Sequence, residues 1–521
     1  MIALARGPAT FALTADPEAV IDGLCALLPA RRDQPPDEHL LLLDTPDGRL
    51  VAAGALLLRG AGEGPVEVRL RQDGAPDLSV LAPAPPAFAR GLPPGELRTR
   101  LLDLAEMRRL LPVLELQHCT RGLDVLDEER KTVARVRLQL TSVRPYGADG
   151  SWETLPASLT LEPLRGYDEA AAAVLAVLHS RPGLQAEEEN ANARLRTVAA
   201  RTLPPPPPVP GADVRHGLRA DEALRRILRA HLATMRWNEP GLRADLDSEF
   251  LHDWRVAVRR TRCMLGQMKR VFPAAERDRF RTELGWLARA TGPVRDLDVF
   301  LLLLEDVAEG SDSIGDLAPI IADLRQRHRE EHALLVAALD SPKARDLLSA
   351  WDEFLSRKPG RHPGARDVLL PLGELAAARL RKLHRRIVRD GESLGPTAPA
   401  AALHELRIAA KKMRYVLDAA RRLFETEPAD AVLAALKKLQ SVLGEAHDAH
   451  VQAGLLDEVA RRLAGEGANA SVLLAAGRLA ERLSSREAGA RAAFAERLSA
   501  FSAPATRKSV ERLWKPRKGG R

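Results

Sequence analysis

Apolar and polar positions alternate differently in the two parts of this chain. Before about residue 145, Val66-Glu-Val-Arg-Leu-Arg71 and Val136-Arg-Leu-Gln-Leu140, with Arg135 preceding it, repeat with period two and predict strands with one face buried. Leu40–Leu43, the turn-forming Asp44-Thr-Pro-Asp-Gly48 and the run from Leu50 predict strand, turn and strand. Segments 17–28, 103–111 and 168–179 read as helices. The run Pro204–Pro208, followed by Val209-Pro210-Gly211, fits neither helix nor central strand and reads as a stiff polyproline II linker. Beyond it the pattern is helical throughout. Leu/Ala/Val segments are separated by breaks near 238–248, 309–313, 358–364, 390–399 and 426–430.

The helical part repeats itself at an offset of 152 residues. Leu251-His-Asp-Trp-Arg-Val-Ala-Val-Arg-Arg-Thr-Arg262 aligns without a gap on Leu403-His-Glu-Leu-Arg-Ile-Ala-Ala-Lys-Lys-Met-Arg414. His252 falls on His404, Arg255 on Arg407, Arg259 on Lys411, Arg260 on Lys412 and Arg262 on Arg414. The match runs on through Leu265/Leu417, Phe272/Phe424, Gly292/Gly444 and Asp296/Asp448, and upstream it pairs Arg229 with Arg381. Self-similarity at a fixed period marks duplicated units, here two copies of a bundle of about four helices related by a pseudo-twofold.

At ~100° per residue, His252, Arg255, Arg259 and Arg262 lie within ~80° of one helix face, and so do their counterparts. Val256, Met264 and Met268, or Ile408, Val416 and Ala420, supply the opposite, core-facing side. Like charges one turn apart destabilise a helix mildly, so a stripe kept twice points to a polyanion that neutralises it. Arginine offers a planar fork matched to phosphate oxygens and lysine a point charge. The ~5 Å between helical turns lets one stripe reach neighbouring groups of an extended phosphate chain. The plainer reading is a solvated, salt-bridged surface. Against it, neither basic set contains an acidic residue, and the spacing turns Asp253 and Glu405 off the stripe. Each leading histidine could be a neutral ligand, a titrating cation or a packed core residue. Beside so many cations it is expected to titrate low until phosphate binds. Arg295 and Asp298 either join the site or tie helices together, and Asp296 and Asp448 read as structural ties.

Length and composition refine the picture. A chain of 521 residues holds about three or four domains' worth of sequence. At 45% hydrophobic it can form cores, and with 4% aromatics and abundant Ala, Leu and Arg it favours helices. Cys25, Cys119 and Cys263 have no metal-ligand spacing. The start lacks a signal-peptide pattern and there is no apolar stretch of 18 residues, so a soluble, cytoplasmic protein is expected, without a membrane. Residues 1–210 carry 23 basic and 28 acidic side chains, the remainder 55 and 43, so the net charge of +7 comes from the helical part.

These residues carry a family resemblance. His252-x-x-Arg255-x-x-x-Arg259-Arg260-x-Arg262 and Gly292-x-x-Arg295-Asp296-x-Asp298, with His404-x-x-Arg407-x-x-x-Lys411-Lys412-x-Arg414 in the second copy, resemble the CHAD domain, the conserved histidine α-helical domain. The resemblance covers about residues 214–510, with repeats at about 214–310 and 366–462, after a linker at 201–213 and before a basic tail at 511–521. It implies two pseudo-symmetric four-helix bundles, binding of inorganic polyphosphate through the basic face, association with polyphosphate granules and no known catalysis. The residues so implicated are the ten of the two stripes together with Arg229, Arg381 and Arg295. The second copy departs from the pattern with His447 in place of Arg295 and His450 in place of Asp298.

Residues 1–200 resemble, more weakly, a CYTH domain, a triphosphate tunnel built as an antiparallel barrel with helices. The resemblance rests on Leu43-Asp-Thr-Pro-Asp-Gly-Arg-Leu50, Gly54, Leu58-Arg59 and Val66–Arg71. The family's metal-binding Glu-x-Glu-x-Lys should open the first strand, but Arg6-Gly-Pro-Ala-Thr-Phe-Ala-Leu13 has no carboxylate, and Arg135-Val-Arg137-Leu-Gln139 stands in the later acidic strand. Hard divalent cations need oxygen ligands, so the expectation is a degenerate, non-catalytic tunnel with no cofactor. Arg59, Arg69, Arg71, Arg135 and Arg137 are either lumen cations or exposed strand residues, and Glu63, Glu67 and Glu115 are the candidates for a substitute metal site. His328-Arg-Glu-Glu331-His332 has a zinc-like spacing but reads as a charged helix face. The expected fold class is an α+β tunnel domain followed by an all-α domain. The expected function is polyphosphate binding at granules, with a metal-dependent triphosphatase, nucleic-acid binding or a granule scaffold acting through contacts with granule proteins as rivals. Sparse aromatics count against stacking on single strands.

Overall fold

The computed structural model describes residues 9–73, 75–187, 191–310, 316–358, 365–395 and 398–513, which form two compact units dividing inside the proline run, between Pro206 and Pro207. Arg6-Gly-Pro8, the tail from Lys515 and parts of the breaks near 309–313 and 358–364 lie outside the described residues.

In the first unit the strands are β1 (Ala9–Leu13), β2 (Ala30–Asp33), β3 (Glu38–Asp44), β4 (Ala55–Gly60), β5 (Val66–Gln72), β6 (Leu78–Ala82), β7 (Leu111–Leu126), β8 (Thr132–Pro145), β9 (Glu153–Thr154), β10 (Ser158–Pro163) and β11 (Leu184–Ala186). The helices are α1 (Pro17–Leu27), α2 (Arg49–Ala52), α3 (Glu96–Ala105), α4 (Asp168–Ser180) and α5 (Ala191–Thr202). The strands pair antiparallel in the order β11-β1-β10-β8-β7-β3-β4-β5-β6, with β2 on β7 and β9 on β8; among the described residues no pairing joins β6 to β11.

Two local details differ from the sequence reading. The buried Asp44 carboxylate accepts from the backbone N–H groups of Thr45, Leu50 and Val51 at 2.6, 2.9 and 2.9 Å, winding residues 49–52 into the short α2 before β4 begins. The helix expected at 103–111 is shifted. It starts after Gly95 and ends at Glu106, where φ is +51°, and Leu111 already begins β7.

Period-two patterning sends apolar residues to both sheet faces. On one face, α1 and α4 pack through Ile21, Leu24, Val174 and Leu178 over Leu123, Val136 and Leu159, while α2 and α3 cover Leu41, Leu57 and Val68. On the other, α5 lays Leu195 and Ala199 over Leu40, Leu42, Leu58 and Leu116.

In the second unit the described helices are α6 (Ala220–Arg243), α7 (Ser248–Gln267), α8 (Ala274–Ala290), α9 (Gly292–Gly310), α10 (Ala318–Asp340), α11 (Pro342–Ser356), α12 (Leu372–Glu392), α13 (Ala400–Ala420), α14 (Thr426–Gly465), α15 (Ala470–Ser502) and α16 (Pro504–Arg512). The offset of 152 governs their starts: α6 and α12, α7 and α13, α8 and α14, and α10 and α15 all begin in register. The repeats differ at one joint. Where Gly292-Pro293 separates α8 from α9, Gly444-Glu445 lets α14 run for 40 residues. Proline has no N–H and its ring clashes with the preceding turn, so it starts a helix but does not continue one. The Asp247 carboxylate fixes the start of α7, accepting from the N–H groups of Glu249 and Phe250 at 3.0 and 3.3 Å.

The two repeats share one interior. Trp254, Leu265, Leu287 and Trp351 of the first lie in the same continuous core as Leu380, Met413, Leu436 and Leu439 of the second. A smaller core packs α9 and α10, through Phe300 and Ile320, on the distal part of α14 and the start of α15, through Val459 and Leu479. Packing α7 against α13 brings the two sequence signatures together. No helix among the described residues is long and apolar enough to cross a membrane.

Candidate functional site

Direct bonds set how α7 meets α13. Arg259 Nε donates to the Tyr415 hydroxyl at 2.7 Å, Arg260 reaches Asp418 at 3.3 Å, and Cys263 Sγ lies 3.8 Å from the Lys412 carbonyl. Later residues of α7 thus meet earlier residues of α13, so the helices pass in opposite senses, as they would about a twofold perpendicular to them. The basic rows converge in consequence. Arg255 and Arg259 of α7 act electrostatically on Lys411 of α13, and Arg259 also acts on Arg407. Arg255 with Lys411 and Arg407 with Arg259 are equivalent pairs under the repeat.

The cluster is held from behind. Arg255 Nη1 donates to Thr291 Oγ1 at 2.7 Å and to the Ala288 carbonyl at 3.3 Å, at the C-terminal end of α8, where a cation is favoured. Arg407 Nη2 donates to Asp448 of α14 at 3.1 Å, while its buried Nε has no hydrogen-bond partner among the described residues. Arg295 donates to the Ser248 carbonyl at 3.1 Å and lies 3.8 Å from both Glu249 and Asp298, tying the start of α9 to the start of α7. His404 Nδ1 lies 3.2 Å from Nδ1 of His447, the residue that replaces Arg295 in the second repeat.

Charge crowding is felt in the titration of these groups. Burial, then Arg295, Arg259 and Arg255, push His252 down to about 3. It is therefore a neutral imidazole at neutral pH, in the direction expected from the sequence. Burial, then the guanidinium groups of Arg407 and Arg259, draw Lys411 down to about 7, with Asp448 the opposing carboxylate. Burial holds Arg255 down at about 10. Burial and Arg407 push His447 down to about 4. No carboxylate forms an ion pair with Lys411 among the described residues, so an anion entering here meets an ammonium with no internal partner.

The other expected residues are placed as follows. Arg262 donates to the Arg281 carbonyl at 3.3 Å, and Arg414 faces Gln440 at 3.4 Å and Asp418 at 3.7 Å. Lys412 is half-buried at the α7–α13 contact. Arg229 is exposed on α6 and Arg381 half-exposed on α12, and no hydrogen bond or ion pair among the described residues ties either to the cluster. Glu405 is exposed, but Asp253 is not turned away: its carboxylate, that of Glu249 and an imidazole nitrogen of His252 lie within 4.8 Å of one another. Those three residues sit on one helical turn, and Arg295 already counters Glu249 there. The zinc-like histidines serve the packing. His328 Nε2 meets Asp298 at 2.8 Å and His332 Nε2 donates to the Leu242 carbonyl at 2.7 Å. Sequence reasoning passed over Tyr415, Asp418 and Thr291, which orient the arginines. All three lie outside the repeated motif, so no periodic signal marks them.

In the first unit, strand register divides the arginines offered as lumen cations between the two faces of the sheet. Arg59 pairs with Leu41 and Val68 and so stands on their face, whereas Arg69, Arg71, Arg135 and Arg137 stand on the opposite one. That face carries its own acids. Arg69 binds Glu38 at 2.6 Å and Glu67 at 2.8 Å, Arg137 binds Asp124 at 3.0 Å, Arg135 lies 3.8 Å from Asp124, and Arg71 lies 3.2 Å from Asp77. Glu67 and Glu115 are on opposite faces, and Arg144 holds Glu115 at 2.6 Å, so these two do not form one metal site.

Comparison with known proteins adds the following. The CHAD domain family matches residues 226–457. An uncharacterised protein of Mycobacterium tuberculosis (strain CDC 1551 / Oshkosh) is 26% identical over 288 residues, covering 52% of this chain and 52% of that protein. This chain therefore spans about half the length of the curated relative it matches. The crystal structure of the CHAD domain from the plant Ricinus communis aligns at 24% identity with a TM-score of 0.44, covering 59% of this chain and 98% of that one. PptA from Streptomyces chartreusis aligns at 18% identity with a TM-score of 0.42, covering 54% and 99%.

Proposed function

Because residues 226–457 form a CHAD domain, we propose that this protein binds inorganic polyphosphate across the paired faces of α7 and α13 and associates through it with polyphosphate granules in the cytoplasm. The observation that carries the reading is Lys411. Burial and the charges of Arg407, Arg259 and Arg255, with Asp448 opposing them, suppress its own charge, a costly arrangement that a string of phosphates would relieve. Arg259, Arg260, Arg262, Lys412 and Arg414 continue the two rows, and His252 and His404 stand at their heads, His252 as a neutral hydrogen-bonding group. No catalytic step is assigned. The acids facing Arg69, Arg71, Arg135 and Arg137 in the first unit neutralise those cations, which lends no support to triphosphate hydrolysis there.

Binding by phosphate neutralisation sets the test. The logarithm of the affinity for long-chain polyphosphate is expected to fall linearly with the logarithm of salt concentration, losing about 0.7–0.9 per phosphate contacted. Duplex or single-stranded nucleic acid at equal phosphate concentration is expected not to displace the polymer, and displacement would make nucleic acid the ligand instead. Lys411 adds a pH signature. Below its ligand-free pKa of about 7 it is already charged, so binding takes up no proton there. Above that value binding must protonate it, so affinity falls as pH rises, approaching one decade per pH unit. Calorimetry at pH 8 in buffers of different ionisation enthalpy should reveal proton uptake that Lys411→Arg removes. Equal uptake in both proteins would take Lys411 out of the site.

A further inference from the structure

The cationic surface ends differently in the two repeats. At the end of the α7 row, Arg262 lies across Gly285 of α8, where a β-carbon would come within 3.1 Å of its guanidinium. Burial, then the charges of Arg281 and Arg289, hold Arg262 below its ordinary value. No carboxylate forms an ion pair with Arg262 or Arg289 among the described residues. Arg281 comes only within 3.7 Å of Asp278, which Arg277 already holds at 2.6 Å. One turn back along α8 from Arg289, Trp286 supports Lys343, whose Nζ is 4.3 Å from the ring centroid. The cations therefore step from α7 across α8 to the start of α11.

The equivalent end of α13 is closed. Asp418, at the position of Gly266, lies 3.7 Å from Arg414 and 3.3 Å from Arg260. Arg281, Arg289 and Lys343 become Leu433, Ser441 and Ala495 in the second repeat. Of the basic residues that remain, Lys437 faces Asp418.

We propose that a bound phosphate chain leaves the central cluster in one direction, over the first repeat along Arg262, Arg281, Arg289 and Lys343, so that chains long enough to reach α8 gain contacts that short ones lack. This rests on the polyphosphate reading of α7 and α13 and adds a direction and a length preference to it. The full chain is titrated calorimetrically with tripolyphosphate and with long-chain polyphosphate. Arg281→Ala/Arg289→Ala is expected to leave tripolyphosphate affinity within about twofold of the unaltered protein. It should weaken the long chain about tenfold and flatten its salt dependence by one to two contacts' worth. The Lys437→Ala/Lys438→Ala pair, which removes the two lysines of the corresponding stretch of α14, should change long-chain affinity by less than about twofold. Equal losses from the two pairs, no loss from the first, or a parallel loss for both ligands would overturn the directional path. If the unaltered protein binds neither ligand, the polyphosphate reading itself fails and the path goes with it.

Discussion

Replacing Arg255 and Arg407 together by alanine is expected to weaken polyphosphate binding by about a hundredfold or more. Each charged hydrogen bond to phosphate is worth roughly 1.5–3 kcal/mol, and every 1.4 kcal/mol is tenfold. These two positions are equivalent under the repeat, and each interacts electrostatically with the opposite row, Arg255 with Lys411 and Arg407 with Arg259. They also carry internal bonds, to Thr291 and the Ala288 carbonyl for Arg255 and to Asp448 for Arg407, so thermal unfolding must be followed in parallel. Arg255→Lys/Arg407→Lys retains charge without the fork and should recover part of the affinity. Affinity unchanged in a folded alanine pair would remove the two rows as the site.

The second large effect runs in the opposite sense. Lys411→Met is expected to weaken ligand binding and at the same time raise the ligand-free melting temperature at neutral pH. In the unfolded chain this amine titrates near its ordinary 10.5, and in the folded protein near 7. Between those values the unfolded state binds more protons, so this lysine's contribution to stability improves as pH rises from about 7 to about 10 and is worst below 7. At ~1.4 kcal/mol per pKa unit the penalty amounts to a few kcal/mol at most, lessened by partial exposure. A methionine of similar length removes it, and a gain of several degrees by calorimetry is the expected reading. A lower melting temperature at pH 7 would mean that the ammonium has a stabilising partner.

Both effects trace to features that periodicity reveals and to others that it hides. The repeat was legible because polar and apolar positions recur together at one offset, and that offset fixes the helix starts. Less legible was the long α14. A single Pro293-to-Glu445 difference decides whether one helix or two follow, and it is outweighed in any window by the shared Leu and Gly positions. The stripe residues could be named from helical spacing, but Tyr415 and Asp418, which sit across from Arg259 and Arg260, belong to packing between distant segments. In the first unit, the alternating pattern revealed that Arg59 and Arg69 are strand residues. Which face each takes depends on pairing register, which a sequence without its partners does not fix.

The common interior of the duplicated helices has a consequence for how such a centre persists at low abundance. Two separate halves meeting across the same surface would part on dilution, since assembly of free subunits obeys mass action. Joined in one polypeptide, they meet at a concentration set by the tether. Covalent linkage also frees them from sameness. A pair of identical subunits would place the same residue at both ends of its cleft, whereas this chain carries Gly266 at one end and Asp418 at the other.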